Sequence, residues 1–349
     1  MDFIYDDKTK KQEIYNLYQE IFEDPKEFAD YYFEEVYSKN QVLMAKKKEE
    51  LVGTIHLNPY LLDIRGKEVP MHYIVAVATK TECRRQGIMR EMLHKVLNDM
   101  AEAKEAFTYL EPANPAYYEP FDFVFAMDWS KDKIQGDKTE FSGILRGFEC
   151  KKDADKVILF IESQLRSYDI HTKVTKDYLA RIQKEAKSQG GDILLWEQEN
   201  LSAVFVYGIE EDTVFIREAF CEKKDKFYEM LKGYFSEYVI EIVGNDKSVS
   251  KQIPSIMIRI TNLCEMMSFA KAKNPICVNI EIKDSIILEN NGTFQINITK
   301  QGGHIKRTQK QPQLKLTIKE LTEILFGIQT RREFQDLIPF ERIYITEEV

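Results

Sequence analysis

Ala78-Thr-Lys-Thr-Glu-Cys-Arg-Arg-Gln-Gly-Ile-Met-Arg-Glu-Met-Leu93 follows directly on an apolar run, Tyr73-Ile-Val-Ala-Val77. The run reads as a buried strand. The residues after the glycine carry Ile88, Met89, Met92, Leu93, Val96, Leu97 and Met100. That spacing gives an amphipathic helix from about Arg85 to Ala103 with a wide apolar stripe facing a sheet. Between strand and helix sit Arg84, Arg85 and Gly87. A helix N-terminus presents unpaired N–H groups and partial positive charge, which together hold phosphate oxygens. A glycine there lets a ligand approach the backbone, and two arginines add charge-assisted hydrogen bonds. Arginine otherwise opposes the dipole at that end, so the pattern points to a bound anion.

Working outward, residues 8 to 38 carry apolar side chains at helical spacing. Gln41–Lys46 and Leu51–Leu57 read as strands, with Pro59 closing the second. Residues 61–65 and 69–77 read as the next pair, around Arg65-Gly-Lys67. A strand at Ala106–Leu110 leads into a proline-rich loop, Glu111-Pro-Ala-Asn-Pro115, and then Tyr117-Tyr-Glu-Pro-Phe-Asp-Phe123. A second unit echoes the first. Residues 193–208 again read as strand, turn, strand; residues 213–220 form the next apolar strand, and Lys223–Tyr238 the helix. The echo fails at one place: Cys221-Glu-Lys-Lys224 stands where the first copy has Arg84-Arg-Gln-Gly87. A third unit starts near Pro254, with strands expected at 255–261, 277–283, 285–289, 293–299 and 313–317 and a hairpin signal at Asn290-Asn-Gly292. Thr317-Ile-Lys-Glu320 reads as a capping box opening a helix that ends near Gly327.

The 349 residues suggest two or three domains, and the net charge of −9 excludes a non-specific nucleic-acid binder. It suits a cationic partner or plain solubility. Five scattered cysteines without CxxC spacing read as reduced buried thiols of a cytoplasmic protein, and neither they nor the five histidines have metal-ligand spacing. No leader pattern and no membrane-length apolar run is visible.

Val77-Ala-Thr79, then Arg84-Arg-Gln-Gly-Ile-Met89, resembles the acetyl-CoA motif of GCN5-related N-acetyltransferases, with Met89 departing at its last position. With Tyr117-Tyr-Glu-Pro-Phe-Asp-Phe123 after the next strand, it is similar to the Enhanced intracellular survival (Eis) branch. That resemblance implies an α/β (α+β) chain of two tandem acetyltransferase-like domains and a sterol-carrier-like domain. It would place a catalytic domain at 1–150, a degenerate copy at 151–252 and the carrier-like domain at 253–349. It implies that the main chain of Val77, Ala78 and Thr79 pairs with the pantetheine arm of acetyl-CoA. Arg84, Arg85, Gly87 and Ile88 would line the pyrophosphate site, and Tyr118 would be the general acid. The carboxylate of Val349, at the end of a tail anchored by Ile338, Phe340, Ile343 and Ile345, would be the base, with Glu111 and Glu119 competing for that role. It also implies acetyl transfer to primary amines of a cationic, aminoglycoside-like acceptor in a ternary complex, and a homo-oligomer, hexameric in relatives. A lysine or peptide acetyltransferase and a non-catalytic binding protein are the alternatives.

Overall fold

The computed structural model describes residues 1–244 and 251–347. Strand β1 (Asp2–Tyr5) precedes two helices, α1 (Lys11–Ile21) and α2 (Lys26–Tyr31), whose last turn runs on as a π-helical turn to Val36. Strands β2 (Gln41–Lys47), β3 (Glu50–Ile64) and β4 (Lys67–Thr79) follow as an antiparallel meander. Helix α3 (Ile88–Glu102) returns across the sheet to β5 (Phe107–Leu110), and β6 (Val124–Gln135) comes after the proline-rich loop. Ile88, Met92, Leu93, Val96, Leu97 and Met100 of α3 are buried, which is the stripe the spacing predicts. Instead of two strand pairs there is one long hairpin: β3 runs straight through Pro59. Strands β2 and β8 (Ile170–Thr172) pair the same edge of β3, β2 up to Leu57 and β8 from Leu62. Pro59 lies in the gap between them, where a missing N–H deprives no neighbour. The hairpin turns at Arg65 (φ 52°) and Gly66 (φ 86°), the two positive angles that a tight twisted hairpin requires.

The second half of the large sheet repeats this layout. After β7 (Ile144–Gly147), α4 (Cys150–Leu165) and α5 (Lys176–Ser188) come β9 (Asp192–Glu197), β10 (Leu201–Glu210), β11 (Thr213–Cys221), α6 (Lys224–Tyr234) and β12 (Val239–Gly244). Helix α6 stops at Tyr234, four residues short of the sequence expectation, and Phe235 turns the chain. In both halves the third strand carries a bulge opposite its hairpin partner, and in both the bulged residue has a positive φ: Ala76 at 48° and Glu218 at 47°.

Strand β13 (Gln252–Ile260) falls within the range expected for the third unit, yet it is inserted between β5 and β6, antiparallel to both. The resulting order is β1-β2-β3-β4-β5-β13-β6-β12-β11-β10-β9-β7. Helix α7 (Leu263–Ser268) and β14 (Lys271–Ala272) lead to a separate four-stranded sheet built from β15 (Ile276–Lys283), β16 (Gly292–Ile298), β17 (Gly303–Arg307) and β18 (Leu314–Thr317). No strand forms at 285–289. The Asp284 carboxylate accepts the N–H groups of Ile286 and Ile287 and so bends the chain there. Strand β17 went unread in the sequence. The capping box at Thr317 and Glu320 opens α8 (Ile318–Leu325) as expected.

The tail docks. β19 (Leu337–Ile338) pairs with β14 and β20 (Ile343–Tyr344) with β8, and Phe340, Ile343 and Ile345 are buried. Arg65 fixes the tail's start, donating to the carbonyls of Ile338 and Pro339 at 2.8 Å each and pairing with Asp169. All five cysteines are free, but Cys264 and Cys277 are exposed, so burial holds only for Cys83. Among the described residues no helix is long and apolar enough to cross a membrane.

One fully buried ion pair within the third unit holds the arginine that ties this unit to the first. Arg259 on β13 pairs with Asp284 at 2.8 Å, both side chains being 0% exposed. Arg259 also donates from Nε to the carbonyl of Phe121 at 2.8 Å. Replacing Arg259 by Leu leaves Asp284 buried without its cation, which costs about 3–5 kcal/mol. A urea titration should show that loss; a change below about 1 kcal/mol would mean that the pair is not holding the units together.

Candidate functional site

Strands β4 and β5 are parallel neighbours that pair only at Tyr73 and Tyr109. Beyond that point they part, and β4 keeps its other edge paired to β3 as far as Thr79. The main-chain groups of Val75 to Thr79 that face the parting therefore lack a strand partner. Such groups need an acceptor or donor from elsewhere.

A cavity of about 800 Å³ opens there, lined by Val77, Thr79, Arg84, Arg85, Gly87, Ile88, Tyr118 and Phe121. Val77 and Thr79 face it, whereas the side chain of Ala78 alternates inward and is buried in the core beneath α1. Of the residues singled out from the sequence, Ala78 and the two competing bases Glu111 and Glu119 are not among those lining the cavity, and Val349 lies outside the described residues.

The features that the sequence analysis connects with an anion lie in the loop at 80–87. A 3₁₀ turn at Thr81–Cys83 is followed by Arg85 at φ 61° and Gly87 at φ 81°. A Cβ on Gly87 would meet nothing within 4 Å, so the backbone angle, not space, calls for glycine. Gly87 caps α3, and the first helical bond runs from Glu91 N–H to the Gly87 carbonyl at 3.1 Å. The N–H groups of Ile88, Met89 and Arg90 have no intrahelical acceptor and point out of the helix end. Arg84, Arg85 and Gly87 are exposed beside them, and Arg84 Nε is steadied by the Thr79 carbonyl at 3.2 Å. In the second half, β11 passes into α6 through residues 222–223 alone, and the helix cap there is Lys223 at φ −136°. No counterpart of the 80–87 loop stands there.

Tyr117 and Tyr118 are told apart by burial. Tyr117 is 58% exposed and Tyr118 8%, its ring packed edge-on to Phe123. Burial pushes the Tyr118 phenol up to about 12, so at neutral pH it is a proton donor. Its hydroxyl makes no hydrogen bond among the described residues. Glu111 and Glu119 are both exposed. The loop is held in place by His94 of α3 against Phe121 and by Arg259 on the Phe121 carbonyl.

A second cavity, of about 500 Å³, reaches β4 at Val75 and Ala76 from between α1–α2 and β10–β11. Tyr18, Phe22, Phe28 and Phe215 line it with Asp24 and Glu210. Behind it lies a buried polar cluster that sequence reasoning missed: Tyr60, Tyr109, Tyr178, Glu218 and Glu347. The adjacent charges Arg217 and Glu218 inside the apolar run 213–220 were its one visible signal.

Residues 5–126 match the family described as an acetyltransferase (GNAT) domain, and residues 262–343 match the sterol carrier protein domain. No curated protein sequence matches the chain. Among solved structures, a probable N-acyltransferase from Enterococcus faecalis V583 is 17% identical with a TM-score of 0.81, and 99% of each chain is covered. A GCN5-related N-acetyltransferase from Anabaena variabilis is 16% identical with a TM-score of 0.76, covering 97% of this chain and 95% of its own. Eis1 from Mycobacterium abscessus is 12% identical with a TM-score of 0.70, covering 97% and 94%. At these identities the likeness is one of fold.

Charge reversal at Arg84, in the variant Arg84→Glu, should weaken CoA binding roughly tenfold or more, the scale of a lost charge-assisted hydrogen bond. Calorimetric titration of both proteins decides it, and equal affinities would remove the phosphate assignment.

Proposed function

Because the chain is an Eis-like protein, with a GCN5-related acetyltransferase domain in front and a sterol-carrier-type domain behind, we propose that it moves an acetyl group from acetyl-CoA to a primary amine of a cationic acceptor. The observation that carries this reading is the single cavity in which unpaired β4 backbone, the Gly87 helix end, two arginines and Tyr118 meet.

In this reading the pyrophosphate of CoA lies on the N–H groups at the start of α3, with Arg84 and Arg85 over it. The pantetheine arm takes the place of the missing strand partner along β4, bonding main-chain groups of Val77 to Thr79. An N–H at the parting of the strands faces the thioester carbonyl and stabilises the oxyanion that forms when the amine attacks. Tyr118, protonated through burial, gives its proton to the departing thiolate. The middle unit, without the loop and its αL glycine, does not hold CoA.

The acceptor comes from the other side, through the crevice that meets β4 at Val75 and Ala76 while the CoA cavity meets it at Val77. Aromatic rings with Asp24 and Glu210 suit an organic ammonium, and Arg217, the cation in the same lining, is paired with Glu185. Two openings onto one strand favour direct attack in a ternary complex. An alkylammonium must lose a proton first, and the carboxylate of Val349 is proposed as its base. The tail supports this, since Glu347, two residues earlier, is 1% exposed and has Tyr60 and Tyr109 of the first unit within electrostatic reach.

The experiment is a panel of amines with acetyl-CoA, scored by thiol release. Tyr118→Phe should lower kcat by about 10²-fold or more with little change in acetyl-CoA affinity. Tyr117→Phe should resemble the parent; the reverse result would move the acid by one residue.

Extension of the chain beyond Val349 should abolish turnover while acetyl-CoA still binds. An extended protein of full activity, beside an N-terminally tagged control, would rule out the terminal carboxylate and turn attention to Glu111.

A further inference from the structure

Three arginines line the cavity at the start of α3: Arg84, Arg85 and Arg90. No acidic residue is among the described residues that line it. The chain as a whole carries a net charge of −9, so this positive balance is local to the cavity. Arg84 and Arg85 stand just before Gly87, where the proposed function puts the pyrophosphate of CoA. Each phosphorus of that diester carries a single negative charge, which the two arginines and the helix end offset. Arg90 is left over.

Arg90 lies in the first turn of α3, where a cation opposes the helix dipole. It is exposed and has no hydrogen-bond or ion-pair partner among the described residues. A cation on a helix surface is ordinarily offset by a carboxylate three or four residues away, as Lys95 is by Asp99 on the same helix. At those spacings Arg90 has Gln86 and Gly87 before it and Leu93 and His94 after it. The second half of the large sheet supplies the contrast. Counted from the helix cap, Lys226 of α6 takes the place of Arg90, and it pairs with Glu229 at 2.7 Å. The cation is thus neutralised within its own helix in the half that has no loop, and left open in the half that has one.

Arg90 is three residues beyond Gly87, a rise of about 4.5 Å along the helix. Helical side chains lean back toward the N-terminus, which brings Arg90 to the same cavity as Arg84 and Arg85. CoA has an anion suited to that place. Its 3′-phosphate sits on the ribose whose 5′-oxygen carries the pyrophosphate, so the two groups are near neighbours. As a phosphate monoester it holds a charge of about −1.5 to −2 at neutral pH. A guanidinium can grip such a group through two parallel N–H donors.

We propose that Arg90 holds the 3′-phosphate of CoA, and that the protein thereby selects CoA over its dephospho form. This rests on the reading of the cavity as the acetyl-CoA site. The whole pantetheine arm separates the 3′-phosphate from the thioester, so Arg90 is a specificity residue and takes no part in acetyl transfer. Its contact is the same before and during the reaction, and losing it raises KM without lowering kcat.

The test is calorimetric titration of the full chain with CoA and with 3′-dephospho-CoA, for the parent, Arg90→Gln and Arg84→Gln. The parent should bind CoA about tenfold or more tighter than dephospho-CoA. Arg90→Gln should bind the two within about twofold of each other. It should hold dephospho-CoA as well as the parent does, which also reports that the variant is folded. Arg84→Gln, at the pyrophosphate, should weaken both ligands alike. On an amine that the parent acetylates, Arg90→Gln should raise the KM for acetyl-CoA about tenfold or more and leave kcat unchanged. Equal affinity of the parent for the two ligands, or an undiminished preference for CoA in Arg90→Gln, overturns the proposal while the CoA site stands. A parent that binds neither ligand overturns the site itself, and the role of Arg90 with it.

Discussion

The parting of β4 from β5 is the constraint on which the site depends. Parallel neighbours ordinarily satisfy each other's backbone groups along their length, and here they do so at one residue pair, Tyr73 and Tyr109. The cause is local and non-local at once. The bulge at Ala76, with its positive φ, turns β4 away. Strand β13 meanwhile pairs with all of β5 from Phe107 to Leu110, so β5 stays in the sheet without β4. What is left is a strand with one paired edge and one free edge, opening onto a cavity on one side and a crevice on the other. The second half of the sheet keeps the same bulge at Glu218 but pairs β11 with β12 over four residues, Thr213 to Ile216, and has no loop before α6. The bulge is common to both halves, whereas the loop before the helix is found in the first alone among the described residues.

The third unit contributes position. Arg259, fully buried, spends its donors on the Phe121 carbonyl, the Ile260 carbonyl and Asp284. Asp284 in turn accepts Ile286 N–H, Ile287 N–H and Asn290 Nδ2. A desolvated pair of this kind is weak as a source of stability and strong as a fixture, since either partner alone would be stranded. The loop that carries Tyr118 is thus pinned to a strand, β13, that comes some 140 residues later in the chain. The tail, gripped by Arg65 at its start and by Thr172 near its end, crosses from that unit back over β8 to the tyrosines of the first.

The strand, the Arg84-to-Gly87 loop and the helix after them were legible because they are contiguous: φ preferences, dipole and apolar spacing act within some thirty residues. The repeat and the docking of the tail were legible for the same reason, through apolar periodicity. Three things were not. Pro59 reads as a strand end, and only the ends of β2 and β8 on a shared edge show why it is tolerated. Residues 285–289 alternate like a strand, but Asp284 bonds their N–H groups first. The carboxylate cluster joins α5, β11 and the tail with β3 and β5, so no window of sequence contains it. The choice between Tyr117 and Tyr118 rested on a resemblance, and the difference in their burial is visible only in the fold.

The most direct measurement is a crystal structure of the full chain with CoA bound. The account requires one CoA per chain, its pyrophosphate on the N–H groups of Ile88 and Met89 beside Arg84, its pantetheine arm along Val77 to Thr79, and its sulfur near the Tyr118 hydroxyl. CoA bound beside β11 and α6 instead, or bound with its phosphates away from the Gly87 helix end, would contradict it.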